Sequence, residues 1–276
     1  MPELPEVETI RRDLARLAVG RAVVAVDIGW PGSLKDAGAG FTSRLIGSRF
    51  SGFSRRAKIL IAELDSGDRL LIHLKMSGRL TVVPAGTPPD KHTRVTFALD
   101  SGEELRFIDM RKFGYIKPVP AGSPAAVPEL DCLGPEPLAP DFTTADWLDL
   151  VAAKGTSKRA VKTVLLDQTF IAGLGNIYVN EILHAAGIHP ERPFADLTTD
   201  EVLRVYSEMR RILLDAIVGR GTTFAQYVDG EGRRGEYLER LAVYGRQGES
   251  CRRCGSVIEK IRIGGRGTHF CSKCQK

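Results

Sequence analysis

The 276-residue chain has no apolar run approaching the roughly 18 residues that a membrane-spanning helix needs. Its opening, Met1-Pro2-Glu3-Leu4-Pro5-Glu6, is acidic and lacks the hydrophobic stretch of a secretory signal. No internal repeat is visible. Nor is the chain short of core-forming residues: 43% are hydrophobic and 26% charged, ordinary values for a globular protein. Together these points exclude membrane, secreted, fibrous and disordered classes and predict a cytoplasmic location. The length predicts two domains.

What is present is unevenly spread. The formal net charge is +5, yet the last 26 residues hold seven Lys/Arg (Arg252, Arg253, Lys260, Arg262, Arg266, Lys273, Lys276) against Glu259. That tail is +6 and the preceding 250 residues are −1. Basic tails usually meet nucleic acid or anionic lipid. Four of the five cysteines share it, as Cys251-x-x-Cys254, sixteen residues, then Cys271-x-x-Cys274. A two-residue gap lets both thiolates of one knuckle face a single ion, and two knuckles complete a tetrahedral Zn²⁺ site. Disulfides are the alternative, disfavoured without a secretory signal. With all four positions filled by protein, such a zinc is structural, and counting thiolates and metal leaves the tail at +4. Cys132 stands apart and reads as a small buried hydrophobe.

Val7, Ile10, Leu14 and Leu17 recur at helical spacing behind Pro5, with Glu6 and Glu8 in the first turn. From Ala22 to Val119 the pattern changes to short β runs at 23–28, 59–64, 70–75, 94–99, 105–110 and 115–119, separated by turn signals. An antiparallel sandwich or barrel is expected. Residues 118–140 hold seven of the fifteen prolines, which prevents regular pairing and predicts a linker, here expected to act as a hinge. Beyond it the chain reads as helical: a segment capped by Thr144 and ending near Ala153, then 158–167, 177–186 closed by Gly187, and 200–218. The expected architecture is α+β and multidomain. An N-terminal β-sandwich (1–117) leads through the linker (118–140) to a helical domain (141–245) and a zinc ribbon (246–276).

Four constellations suggest chemistry. Removal of Met1 makes Pro2 a secondary α-amine; with a reference pKa near 8, about a tenth is neutral at pH 7, far more than for a lysine. Only the neutral amine attacks carbon, and the helix start behind it disfavours protonation further. Glu3 and Glu6 stand beside it as proton donor and orienter, although a proline at a chain end is commonly idle. Lys158-Arg159-Ala160-Val161-Lys162, followed by Gly173-Leu174-Gly175-Asn176 at a helix start, suits phosphate; a plain glycine turn fits as well. Met76-Ser77-Gly78-Arg79 and Asp109-Met110-Arg111-Lys112-Phe113-Gly114 offer apolar and guanidinium groups for a wedge into a base stack, or simply core residues. Arg262-Ile263-Gly264-Gly265-Arg266-Gly267-Thr268-His269 forms a hairpin tip able to approach a phosphate backbone closely, or else a solvated turn.

These pieces, in this order, resemble the bacterial formamidopyrimidine-DNA glycosylases of the helix-two-turn-helix class. The likeness runs from Met1-Pro2-Glu3-Leu4-Pro5-Glu6-Val7-Glu8-Thr9 to His269-Phe270-Cys271 and Cys274-Gln275. Between them lie Arg56-Ala57-Lys58, His73-Leu74-Lys75-Met76-Ser77-Gly78, the 109–114 and 173–178 motifs, and Val243-Tyr244-Gly245-Arg246. The resemblance implies excision of oxidised purines (8-oxoguanine, formamidopyrimidines) from duplex DNA by a monomer associated with the nucleoid, then nicking of the abasic strand by β,δ-elimination. It implies that Pro2 forms a Schiff base at C1′, Glu3 donates the proton that opens the sugar, and Glu6 assists. Lys58 would hold a phosphate during β-elimination and Arg266 the phosphates flanking the lesion. Lys158, Asn176 and His92 would grip the backbone. Met76, Arg111 and Phe113 would fill the space left by the extruded base, Arg111 pairing the orphaned cytosine. DNA is then expected in a cleft between the domains. Lys112 and Tyr115 vary around the Arg-x-Phe-Gly core, and 222–240 matches the family's lesion-covering loop only loosely. Rival readings are the endonuclease VIII branch, disfavoured by Leu4 and the Met76/Arg111/Phe113 set, and a non-catalytic zinc-ribbon DNA-binding protein. A proline tautomerase is smaller and has no use for a zinc ribbon.

Overall fold

The computed structural model describes residues 2–38, 40–123 and 127–276. They form two compact units: Met1–Val127 with Ile217–Leu238, and Pro128–Ala216 with Glu239–Lys276.

The first unit starts with helix α1 (Leu4–Leu17), whose second residue is Pro5. Val7, Ile10 and Leu14 of its apolar stripe are at most 1% exposed, and Leu17 packs partly buried against the same core. Strands β1 (Val23–Ile28), β2 (Phe50–Arg56), β3 (Ile59–Leu64), β4 (Arg69–His73), β5 (Gly78–Pro84), β6 (Thr93–Leu99), β7 (Glu103–Asp109) and β8 (Tyr115–Val119) follow, with the short α2 (Phe41–Leu45) after β1. They pair as two four-stranded sheets, β1-β6-β7-β5 and β2-β3-β4-β8, antiparallel throughout. Phe50, Phe53, Leu60, Leu80, Phe97 and Phe107 share one core cluster with the stripe of α1. The sandwich is as expected, but β2 and β5 carried no clear strand signal. β2 is broken by Gly52 and polar residues, and β5 runs from a glycine to a proline. Gly78 is required, because a Cβ there would lie 2.4 Å from the Leu74 carbonyl oxygen. The proline-dense stretch also pairs further than expected: Pro118 lies in β8 opposite Leu70, tolerated because β8 is an edge strand. Pro124 falls outside the described residues.

The second unit holds α3 (Pro128–Asp131), α4 (Thr144–Lys154), α5 (Val161–Leu165), α6 (Asn176–Ala186) and most of α7 (Thr199–Val218), then the hairpin β9 (Glu259–Ile263) and β10 (Arg266–Phe270). Thr143, not Thr144, caps α4: its Oγ1 accepts the Asp146 N–H at 3.3 Å while Asp146 accepts the Thr143 N–H at 2.7 Å. Helix α5 is shorter than the expected 158–167. Ala160 bridges Pro193 and the Val161 N–H donates to the Arg192 carbonyl at 2.8 Å, which holds the preceding residues extended. Gly187 ends α6 in the left-handed conformation (φ 75°), as its position suggested. Trp147, Phe170, Phe194 and Tyr206 pack edge-on or stacked in this core. Cys132 is exposed rather than buried, because it sits in the turn after α3. Among the described residues no helix is long and apolar enough to cross a membrane.

Candidate functional site

Pro2 and Glu3 immediately precede α1, and both are buried, Glu3 to 1% exposure. The Glu6 carboxylate fixes this start from two sides. Its Oε2 accepts the Glu3 N–H and its Oε1 the Thr222 N–H, each at 2.8 Å. Gly221 must be glycine there: its φ is +81°, and a Cβ would come within 2.9 Å of Glu6 Oε1. Glu6 is thus an orienter whose oxygens are engaged by backbone amides. Lys58 stands in the two-residue turn of the β2–β3 hairpin, 8% exposed, next to Ala57 in the left-handed region (φ 52°). Arg55 steadies that turn by donating to the Ala57 carbonyl at 2.9 Å. Burial, with the nearby Lys75 and Lys58 cations, pushes the His73 pKa down to about 3, so its imidazole is neutral. Its Nδ1 accepts the Lys75 N–H at 3.0 Å.

Met76, Arg111 and Phe113 are brought together on the surface, not in the core. Met76 is 48% and Phe113 54% exposed. Arg111 lies 4.8 Å over the Phe113 ring and donates to the Met76 sulfur at 3.1 Å. The loop is built around Asp109, which is fully buried. One of its oxygens accepts from Ser77 Oγ (2.5 Å) and the Arg111 N–H (3.2 Å), the other from the Gly114 N–H (2.7 Å). Arg94 secures the Asp109 carbonyl at 2.8 Å and also lies 3.2 Å from His92 Nδ1. A guanidinium only donates, so Arg94 links the buried Asp109 backbone to the His92 ring.

In the second unit, Asn176 opens α6 behind Gly175, and its Nδ2 donates to the Gly267 carbonyl at 3.0 Å. Lys162, wholly buried, reaches the same strand: Nζ donates to Asn180 Oδ1 (3.2 Å), the Gly267 carbonyl (3.1 Å) and Thr268 Oγ1 (2.6 Å). The hairpin turns at Gly264 and Gly265, both at positive φ, and presents Arg266 exposed at the start of β10. Lys158 is exposed ahead of α5. Pro2, Glu3, Glu6, Lys58, Met76, His92, Arg111 and Phe113 belong to the first unit; Lys158, Asn176 and Arg266 belong to the second.

The Sγ atoms of Cys251, Cys254, Cys271 and Cys274 lie within 4.8 Å of one another and are not disulfide-bonded. Two of the separations are 3.9 Å (Cys251–Cys274) and 3.4 Å (Cys254–Cys271). Tetrahedral Zn–S bonds of about 2.3 Å imply S···S near 3.8 Å, so the set fits one structural zinc. The surroundings fit too. His184 Nε2 lies 3.6 Å from Cys251 Sγ, and Gln275 joins the Cys271 N–H to the Ile188 carbonyl (2.8 and 2.9 Å). Motif reading missed Glu181 and the roles of Asp109 and Lys162, the latter named in a candidate phosphate motif but wholly buried. Buried Glu181, whose pKa burial pushes up, accepts the N–H groups of Ala242, Val243 and Tyr244 at 2.6–3.0 Å. In the sequence these are charged residues like many others, and only their burial marks them.

The family models match in the same order as these features. Residues 1–116 match the formamidopyrimidine-DNA glycosylase N-terminal domain, 133–227 its H2TH domain, and 248–276 the zinc finger found in FPG and IleRS. The chain belongs to the formamidopyrimidine-DNA glycosylase family. Relatives of that name from Geobacillus kaustophilus and Bacillus subtilis are 45% and 42% identical, each over 100% of this chain and 100% and 99% of their own lengths. Two solved Lactococcus lactis glycosylase complexes, one with N7-benzyl-Fapy-dG DNA and one with abasic-site DNA, cover both chains completely. Their TM-scores are 0.92 and 0.90, at 35% and 34% identity.

Proposed function

We propose that this chain is a bifunctional DNA glycosylase and AP lyase, a monomer acting on the bacterial nucleoid to remove 8-oxoguanine and formamidopyrimidines from duplex DNA. The observation that carries the reading is the start of α1, where Pro2 and Glu3 are both buried and Glu6 accepts the Glu3 N–H, in a chain that matches the family from its first residue. Chemistry at C1′ needs the nucleotide out of the stack, at a cost of a few kcal/mol. Met76, Arg111 and Phe113 offset part of that cost by occupying the gap.

In the reaction, the neutral Pro2 nitrogen forms a bond to C1′ as the bond from C1′ to the base breaks, and the proton that Pro2 loses on becoming a tertiary amine passes to the departing base. Glu3 protonates the sugar ring oxygen as the ring opens, leaving an iminium between Pro2 and C1′. Loss of a C2′ proton then expels the 3′ phosphate. A second elimination expels the 5′ phosphate, and hydrolysis frees Pro2. Lys58 and Arg266 hold the departing phosphates, while His92, Lys158 and Asn176 hold their neighbours. Zinc enters no step; held by the four cysteines, it fixes the hairpin that displays Arg266.

The test is a pair of duplexes, one with 8-oxoguanine and one with an oxidised pyrimidine, each opposite its usual partner. Release of the purine lesion, with a gap bearing phosphate at both ends, is expected to dominate. Preference for the pyrimidine places the chain in the endonuclease VIII branch, and binding without release makes it a non-catalytic DNA-binding protein.

A further inference from the structure

Residues 219–237 leave α7 and fold back on α1, within the first unit. The Thr222 N–H reaches Glu6, and the Gly230 N–H donates to Asp13 Oδ2 at 3.0 Å. Tyr227 Oη donates to the Arg220 carbonyl at 3.0 Å. The two arms of the segment pair through the Thr222–Glu236 bridge, and the Gly235 N–H donates to Thr223 Oγ1 at 2.8 Å. Thr222, Thr223 and Tyr227 are buried, whereas Phe224 between them is 45% exposed.

Arg220 stands at the root of this segment in a left-handed conformation, φ 55°. Such a backbone favours glycine, and glycine follows at 221. An arginine kept there supplies what glycine cannot. Its Nη2 donates to Asp13 Oδ2 at 2.6 Å and its Nε to Asp229 Oδ2 at 2.7 Å. Asp229 is fully buried and Asp13 4% exposed. Asp229 also receives the Glu231 and Arg233 N–H groups at 2.9 Å and Arg233 Nε at 3.1 Å. One guanidinium therefore joins α1, at Asp13, to Asp229 in the segment whose Thr222 N–H reaches Glu6.

We propose that Arg220 is a positioning residue for base excision: paired with Asp13 and Asp229, it holds residues 222–227 against the first turn of α1, where they meet the extruded base. The inference rests on the function proposed above. It separates the two halves of that reaction, because the glycosylase step has a base to hold and the elimination steps do not.

The test is Arg220→Gly, which keeps the backbone conformation and removes the guanidinium. A misplaced contact segment is expected to lower the single-turnover rate of 8-oxoguanine release by about tenfold or more. Cleavage at a preformed abasic site stays within about twofold of the parent, so the loss lies in the base-dependent step. Arg220→Lys is expected to recover part of the loss. Should Arg220→Gly fold poorly, Asp13→Asn, which removes one of the two carboxylates, is expected to show the same split at smaller size. Equal losses on both substrates, or unchanged base release, overturn the proposal. Failure of the parent protein to release the base overturns instead the function on which it rests.

Discussion

Two loops present an arginine to solvent and are held by opposite means. In the first unit, the Arg111 loop folds around a single buried carboxylate, Asp109, which gathers Ser77 and the backbone of Arg111 and Gly114. In the second, the Arg266 hairpin is fixed by a four-cysteine cluster and by the buried Lys162, which reaches Gly267 and Thr268. A polar core preforms the one loop as its sheet folds. The other depends on an ion and on contact with α5 and α6. The contrast teaches that the two should fail independently.

Asp109→Ala is the strongest way to break the comparison. It strands buried donors at about 1–3 kcal/mol each, so Arg111 and Phe113 lose their frame and affinity for a lesion duplex falls about a hundredfold. Metal analysis should still find one zinc per chain; loss of zinc would show the loops to be coupled. Stripping the zinc is the reciprocal experiment. Affinity is expected to fall by about tenfold, the scale of one lost charge-assisted hydrogen bond of roughly 1.5–3 kcal/mol. Hydrogen exchange across 109–114 should be unchanged. A smaller effect sharpens the comparison by pH. His73 takes up a proton near pH 3 in the fold but near its usual 6.5 when unfolded. Between those values the unfolded chain binds more protons, so this contribution is complete above pH 6.5 and is lost as pH falls towards 3. His73→Gln is expected to narrow the fall in Tm between pH 7.5 and 5 by a few degrees.

How much could be read beforehand follows from how local each signal is. The start of α1, the β1, β3 and β8 runs, Gly187 at the end of α6 and the cysteine spacing are set by residues close in sequence, and each stands as read. β2 and β5 are strands because their neighbours pair with them, not because of their own composition. The return of 217–238 to α1 depends on Arg220 meeting Asp13, more than 200 residues away, as the 207-residue separation of that pair records. Candidate site residues could be named where they sit in compact motifs, and their roles are what the experiments test. The separate roles of Asp109, Lys162, Glu181 and Arg220 were not legible, since a charged residue shows its role only through the partners the fold brings to it.

The central claim is that the Pro2 nitrogen is the nucleophile, and borohydride trapping tests it most directly. With a duplex bearing 8-oxoguanine opposite cytosine, the parent protein should yield a covalent adduct that maps to the peptide beginning at Pro2. A chain retaining a residue ahead of Pro2 should bind the same duplex and yield none. No adduct from the parent, or an equal adduct from the blocked chain, contradicts the account.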